Sequence, residues 1–377
     1  MKITFAVGEY NEKSGIIKVV NNIAKKLSEI ENYDISILAT GIAEQSSDMI
    51  ERNVSIYDMD IEKYGHRRRY LYYINSIKNV IERVNPDIIV VSGTEHVLFY
   101  HIAIRKSKMI SPNLLVWEHR NFEAGPKLRL EWFGKRIAIK SWNGIICITK
   151  KDSSMYKKHT NNPNRIYQIY NLTDFDNLNK SYNKDSKRII SCGSLVPIKG
   201  FDMLVEVACF VFRKHPDWSW DIYGEGSEKE YLQELIKKKG LQNNVFLKGY
   251  ESKINRLYKE YALFVLTSRN EGMGMVLVEA LKAGLPVISF DIKCGPSDVI
   301  VDGVNGYLIE PFNIEKMSEK INMLIKNVVK REEFSANAES TLEEFDTEIN
   351  IKKWINMLEE INDGSKNSKK KWRTYNC

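Results

Sequence analysis

The chain is poor in cysteine, and the five it has, at 147, 192, 209, 294 and 377, are scattered and odd in number. No two stand at the spacing of a metal knuckle or a redox pair, which leaves a zinc module or a thiol redox centre without support. Cys147 and Cys192 lie in apolar, strand-like runs and read as core thiols. No apolar run approaches the ~18 residues that a membrane span needs. The opening MKITFAVGEY starts like a strand and lacks the apolar stretch and cleavage site of a secretory leader, so a cytoplasmic chain is expected. Zinc-finger and RNP-type motifs are absent, and nucleic acid is not an expected partner. There is no short internal repeat.

What is present is 377 residues, enough for two domains. The formal charge of +7 is unevenly spread. It collects in HRRRY (66–70), in KLRLEWFGKRIAIKSW (127–142) and in the tail KNSKKKWRTYNC (366–377). Without a nucleic-acid motif, such basic surface suits an anionic membrane face or a phosphorylated ligand. Solvated charge on helix faces is the plain alternative.

Short β-rich runs alternate with helical periods. ITFAV (3–7), DISILAT (34–40), VSIYD (54–58), DIIVVSG (87–93), LLVWEH (114–119), GIICIT (144–149) and RIYQIYN (165–171) read as strands. After Gly15, the residues Ile16, Val20, Ile23, Leu27 and Ile30 make an amphipathic helical stripe. Continuous apolar strands suit a parallel sheet buried on both faces, so residues 1–172 form a doubly wound, Rossmann-like α/β domain. The polar stretch 173–187 reads as a linker. The alternation resumes in RIISCGS (188–194), WDIYG (220–224), NVFLKGY (244–250), ALFVLTS (262–268), PVISF (286–290) and GYLIE (306–310), giving a second such domain over 188–345. A helix at 348–361 follows, and the basic tail, 364–377, reads as disordered.

The second domain carries the chemistry. In TSRNEGMGMVLVEALKAG (267–284) a strand leads through a glycine-broken loop into a helix that stops at Gly284. Free amides at such a helix start bind anions. Glu271 in the loop and Glu279 inside the helix are placed to accept hydrogen bonds from hydroxyls. A sugar nucleotide satisfies both demands; an internal ion pair of Glu279 with a basic residue is the alternative. Lys199 stands at another loop–helix junction, where it can reach a diphosphate or simply be a surface lysine. Gly224 and Gly226 mark a third strand-to-helix turn, a weak signal alone.

The ordered set KGFD, YGEG, NVFLKGY, SRNEGMGMVLVEALKAGLPVIS, GPSDVI and GVNGYLI resembles the family 4, retaining, GT-B-fold glycosyltransferases of bacterial polysaccharide assembly. The Glu-x7-Glu signature corresponds to Glu271 and Glu279. The resemblance covers nearly all of 188–330 and extends more weakly to SGIIKVV (14–20), VWEHRNF (116–122) and IICITKKD (145–152). It implies that Glu271 holds the hydroxyls of the transferred sugar and that Glu279 holds the ribose. The backbone of Gly272, Met273, Gly274 and Met275 would meet sugar and diphosphate, Lys199 the leaving diphosphate, and the loop containing Gly249 the base. The arginine that the family often carries after the loop glycine is here Ser194, so either Lys199 and the helix dipole suffice or a first-domain cation such as Arg120 contributes.

The same resemblance puts the acceptor on the first domain, across a cleft, with Gly15 closing a loop that faces the donor phosphates and His119 (with Glu118 as a weaker companion) near the reacting centre. No metal and no other cofactor is expected; Asp58-Met59-Asp60 is read as a strand-end accident. In 127–142, Leu128, Trp132, Ile139 and Trp142 mingle with Lys127, Arg129, Lys135, Arg136 and Lys140. That mixture suits an interfacial helix on anionic lipid or an acceptor contact, or else a helix packed in the domain. The expected activity is transfer of a hexose or N-acetylhexosamine from a UDP-sugar to a lipid-linked or saccharide acceptor, in O-antigen or capsule synthesis at the inner face of the cell membrane. A non-catalytic GT-B partner subunit and a nucleotide-sugar epimerase of the same fold are the rival readings.

Overall fold

The computed structural model describes residues 1–11, 14–43, 53–61, 69–107, 111–123, 129–173 and 182–374, with side chains as far as residue 364. It divides into two compact units, Met1–Leu172 with Thr347–Cys377, and Thr173–Asp346. Residues 66–68 of the basic run, Lys127 and Leu128, and 174–181 of the expected linker lie outside the described residues.

In the first unit seven strands form one parallel sheet: β1 (Lys2–Tyr10), β2 (Asp34–Ile42), β3 (Val54–Asp58), β4 (Ile88–Ser92), β5 (Asn113–Glu118), β6 (Gly144–Cys147) and β7 (Ile166–Gln168). Their order is β3-β2-β1-β4-β5-β6-β7. The helices are α1 (Gly15–Ser28), α2 (Arg69–Val84), α3 (Val97–Lys106), α4 (Leu130–Ser141) and α5 (Lys150–Lys158). Strand residues alternate between faces, and Ala6, Val91, Val116 and Cys147 share a core with Ile77 of α2, Phe99 of α3, Ala138 of α4 and Tyr156 of α5. Asp58 ends β3 and accepts the Asp60 amide at 2.7 Å, a local turn.

The second unit is a six-stranded parallel sheet of β8 (Arg188–Cys192), β9 (Ser219–Tyr223), β10 (Val245–Gly249), β11 (Leu263–Leu266), β12 (Val287–Phe290) and β13 (Gly306–Ile309). Their order is β10-β9-β8-β11-β12-β13. Its helices are α6 (Phe201–Phe212), α7 (Lys229–Lys238), α8 (Met275–Lys282), α9 (Pro296–Val299), α10 (Ile314–Lys326) and α11 (Val328–Asn337). The described end of the expected linker is fixed to this unit. Buried Arg331 donates to the Tyr182 hydroxyl at 3.0 Å and to the Lys184 carbonyl at 2.7 Å, and the Ser186 hydroxyl donates to the Glu260 carbonyl.

The last helix, α12 (Thr347–Thr374), returns to the first unit and runs through Gly364, so the tail expected to be disordered is helical to Thr374. A single glycine costs a helix only about 1 kcal/mol, and the stripe Ile351, Trp354, Leu358 and Ile361 is buried at helical spacing. With α1, α12 covers the sheet face opposite α2–α5. There Trp354 meets Trp117 edge-on at 4.7 Å and Phe5 at 6.0 Å. No described helix is long and apolar enough to cross a membrane.

Trp354 is fully buried. Replacing it with alanine should lower the unfolding free energy by roughly 3–5 kcal/mol in urea titrations. A loss below about 1 kcal/mol would show that α12 is not part of this core.

Candidate active site

In the second sheet the chain leaves β8 for β9 and β10 on one side and returns to β11 on the other. The loops after β8 and β11 therefore flank a crevice at the strand carboxyl ends, the place where open α/β sheets take ligands. Two glycines let these loops close on one another. Gly200, with φ of 65°, starts α6; a Cβ there would lie 2.2 Å from the Thr267 carbonyl oxygen at the end of β11. Gly224, with φ of 147°, follows β9; a Cβ there would lie 1.8 Å from the Gly193 carbonyl oxygen. Both contacts are too short for any side chain, so backbone meets backbone. Arg269 clamps the junction from the β11 side, donating to both carboxylate oxygens of Asp202 at 2.8 and 2.6 Å and to the Pro197 carbonyl at 2.7 Å. Despite partial burial, Arg269 holds the Asp202 carboxyl below its ordinary range.

The junction brings Lys199 and Glu271 together. Lys199 Nζ donates to both oxygens of Glu271, at 2.6 and 2.8 Å, and the Ser268 hydroxyl donates to the same carboxylate at 2.6 Å. The lysine side chain is 24% exposed and the glutamate 8%, so the pair is shielded but reachable. Immediately after it, Gly274 caps α8, whose first amides have no carbonyl one turn earlier to donate to. Glu279, in the middle of α8, is half-buried and accepts from the Tyr258 hydroxyl at 3.3 Å. Of the two acids, Glu271 carries Lys199 as a basic partner.

The other residues expected in the donor site divide. Ser194 is exposed in the β8–α6 loop. The Gly224 amide donates to the Gly249 carbonyl at 2.8 Å, joining the ends of β9 and β10. Gly272 and Met275 are half-exposed beside Glu271, whereas Met273, backbone included, is 2% exposed. Gly15 opens α1 in the first unit. Arg120, considered as the substitute cation, is in the first unit, where it is exposed and donates to Glu131 at 2.6 Å.

In the first unit the order reverses between β1 and β4, and the segment after β4 reaches the last residues of β1: a Cβ on Gly8 would lie 3.6 Å from His96 Nε2. His96 and Glu95 escaped the sequence reading because they stand in the short run SGTEH (92–96), which matches no motif. His96 Nδ1 is 3.0 Å from the Tyr73 hydroxyl; burial lowers its pKa and Glu95 opposes that. His119 follows β5 and packs on Trp117 at 4.6 Å. Its Nε2 is sealed from solvent without a protein partner, and burial pushes the pKa down to about 3, so the imidazole is neutral.

Two expectations are corrected here. Glu118 does not face a ligand. It is 1% exposed and accepts from the Tyr156 hydroxyl at 2.8 Å, the Thr94 hydroxyl at 3.3 Å and the Arg120 amide at 3.1 Å. Lys135 is not a surface cation. It is 6% exposed, donates to the Asn121 and Phe122 carbonyls at 3.1 and 2.8 Å, and stands 3.8 Å from Glu118. An unpaired charge at either position would be costly, so each accounts for the other. Trp142 is also interior, at 1% exposure. Arg129 and Arg136 do lie at the surface, and Trp132 is half-buried. Among the described residues no group of three or more His, Cys, Asp or Glu is gathered as a metal site.

The His119 environment has a pH consequence. The folded state resists protonation down to about pH 3, while the unfolded chain takes up a proton near pH 6.5. The stability it contributes is present above pH 6.5 and is lost as pH falls from there towards 3. The stability gap between the wild type and His119→Gln should therefore change by up to ~1.4 kcal/mol per pH unit below pH 6.5. Urea titrations giving a gap that stays constant from pH 4 to 7 would contradict this.

Residues 174–341 match the family of glycosyl transferases group 1, and residues 13–177 match Glycosyltransferase Family 4. An "Uncharacterized glycosyltransferase" of Haemophilus influenzae is 26% identical over 359 residues, covering 95% of this chain and 99% of that protein. The poly(ribitol-phosphate) alpha-N-acetylglucosaminyltransferase of Staphylococcus aureus is 38% identical over 217 residues, 57% of this chain and 44% of its own. Among solved structures, Anabaena HepE in complex with UDP and glucose superposes with a TM-score of 0.81 at 18% identity, over 95% of this chain and 99% of that one. The two family matches together run from residue 13 to residue 341, and the chain belongs to the family 4 glycosyltransferases of the GT-B fold.

Proposed function

We propose that the chain transfers a hexose or N-acetylhexosamine from a UDP-sugar to a saccharide or lipid-linked acceptor, with retention of anomeric configuration, in the assembly of a surface polysaccharide. The observation that carries this reading is the cation and carboxylate held side by side at the switch point, next to the start of α8. A diphosphate needs positive charge and free amides. A sugar needs hydroxyl acceptors. The HepE structure, which holds UDP and glucose, supports the donor class. The name of the S. aureus relative supports an amino-sugar donor and a polymeric acceptor.

In the free protein Lys199 and Glu271 neutralise each other. Donor binding redistributes this pair: the ammonium turns to the diphosphate and the carboxylate accepts from sugar hydroxyls. Glu279, further along α8, takes the ribose. The bond from C1 to the β-phosphate oxygen then breaks as the acceptor oxygen bonds to C1 on the same face. The acceptor proton passes to the departing phosphate oxygen, so no separate base is needed. Lys199 and the α8 amides stabilise the charge that grows on the leaving group, without a metal ion.

UDP release and acceptor mass should both be followed with a panel of UDP- and GDP-sugars. A UDP-sugar should react and give an α-anomeric proton in the product by NMR. A β-product would contradict retention, and turnover confined to GDP-sugars would contradict the donor assignment. With the preferred donor, Lys199→Ala should cut kcat/KM by roughly 10²–10³. Glu271→Gln should also lose activity while keeping the fold. Near-normal turnover in both variants would remove them from the site.

A further inference from the structure

The first unit holds a cavity of about 810 Å³ between α4 and the turn after α5. Its size is that of pockets that take whole small molecules. Trp132, Arg136 and Lys140 line it from α4. They stand at i, i+4 and i+8, so they form one row along a single helix face. Arg165 comes from the opposite wall and is anchored by donating to the Trp142 carbonyl at 3.3 Å. The Arg136 guanidinium lies over the Trp132 ring at 4.8 Å, which orients it. Asn161 and Asn162 add side-chain amides to the rim.

The charge balance of this wall is one-sided. Among the described residues none of Arg136, Lys140 and Arg165 has a carboxylate partner. Lys135, at the floor, is already neutralised by Glu118. Glu123 is the one acidic side chain on the lining. Like charges at i, i+4 weaken a helix by a few tenths of a kcal/mol, a cost that the place of Lys140 in the last turn of α4 offsets. A concave wall with three open cations focuses positive potential and favours an anion that accepts from several directions. The ring of Trp132 and the two asparagine amides suit carbon and hydroxyl groups flanking that anion.

We infer that this cavity binds a phosphodiester flanked by polyol or sugar groups, as the anionic part of the acceptor; its identity as acceptor rests on the transferase reading above. The ligand's phosphate sits among Arg136, Lys140 and Arg165, and an adjoining group lies on Trp132. Two sources share this chemistry, a lipid headgroup and a phosphodiester-linked polymer.

Binding of glycerophosphoglycerol to the full chain without donor tests the site by calorimetry. The double variant Arg136→Glu/Lys140→Glu should bind at least tenfold more weakly than the wild type. A control with equal charge reversal on the other unit, Lys237→Glu/Lys238→Glu, should bind as the wild type does. Trp132→Ala, which keeps all the charges, should also weaken binding. Phosphatidylglycerol vesicles, compared with phosphatidylcholine vesicles, decide the source. Retention by the former that is lost in the Arg136/Lys140 variant points to a headgroup. Equal retention by both, with the soluble probe still bound, points to a polymer. No binding of the soluble probe, or the same loss in the control variant, overturns the proposal. A chain that binds the probe yet releases UDP from no UDP-sugar would keep the pocket and remove the transferase reading instead.

Discussion

The ion pair between Lys199 and Glu271 is the interaction on which the second unit's site depends, and it exists because two glycines allow backbone to touch backbone. Gly200 closes the β8–α6 loop on the end of β11, and Gly224 closes the β9–α7 loop on the β8 loop. A Cβ at either place would push the loops apart and separate lysine from glutamate. The Arg269–Asp202 clamp and the Ser268 hydroxyl then fix the pair's direction. A charged pair in so shielded a place is a poor source of stability, since desolvation offsets much of its attraction. Its worth lies in keeping both charges ready for a ligand that carries a diphosphate and hydroxyls at once.

The first unit handles charge differently. Lys135 and Glu118 are interior, and their hydrogen bonds tie α4, α5 and the loop after β5 to one another. Sealing the neighbourhood of β5 also keeps His119 neutral, with a ring nitrogen unspent. The same helix therefore has two faces with separate tasks. Ala138 packs in the core and Lys135 is buried against Glu118 at the cavity floor, while Trp132, Arg136 and Lys140 line the cavity wall.

Much of this was legible in the sequence, for identifiable reasons. Strands such as Ile88–Ser92 and Leu263–Leu266 are continuous apolar runs, and only a parallel sheet covered on both faces uses them. The loop from Glu271 to Met275 was legible because glycines and a carboxylate stand between an apolar strand and an apolar helix. What could not be read depends on partners remote in sequence. Arg269 and Asp202 are 67 residues apart, and nothing local marks either. Lys135 looked like its exposed neighbours because its partner, Glu118, ends a strand. The helical tail was missed because composition favoured disorder, whereas α12 is held by the burial of Trp354 and Ile361 well before it.

The most direct measurement is a crystal structure with an intact UDP-hexose bound. The account predicts that Lys199 Nζ leaves Glu271 and comes within about 3 Å of a diphosphate oxygen, while the Glu271 carboxylate accepts from hexose hydroxyls. A structure with the nucleotide sugar bound elsewhere, and the Lys199–Glu271 pair unchanged, would contradict it.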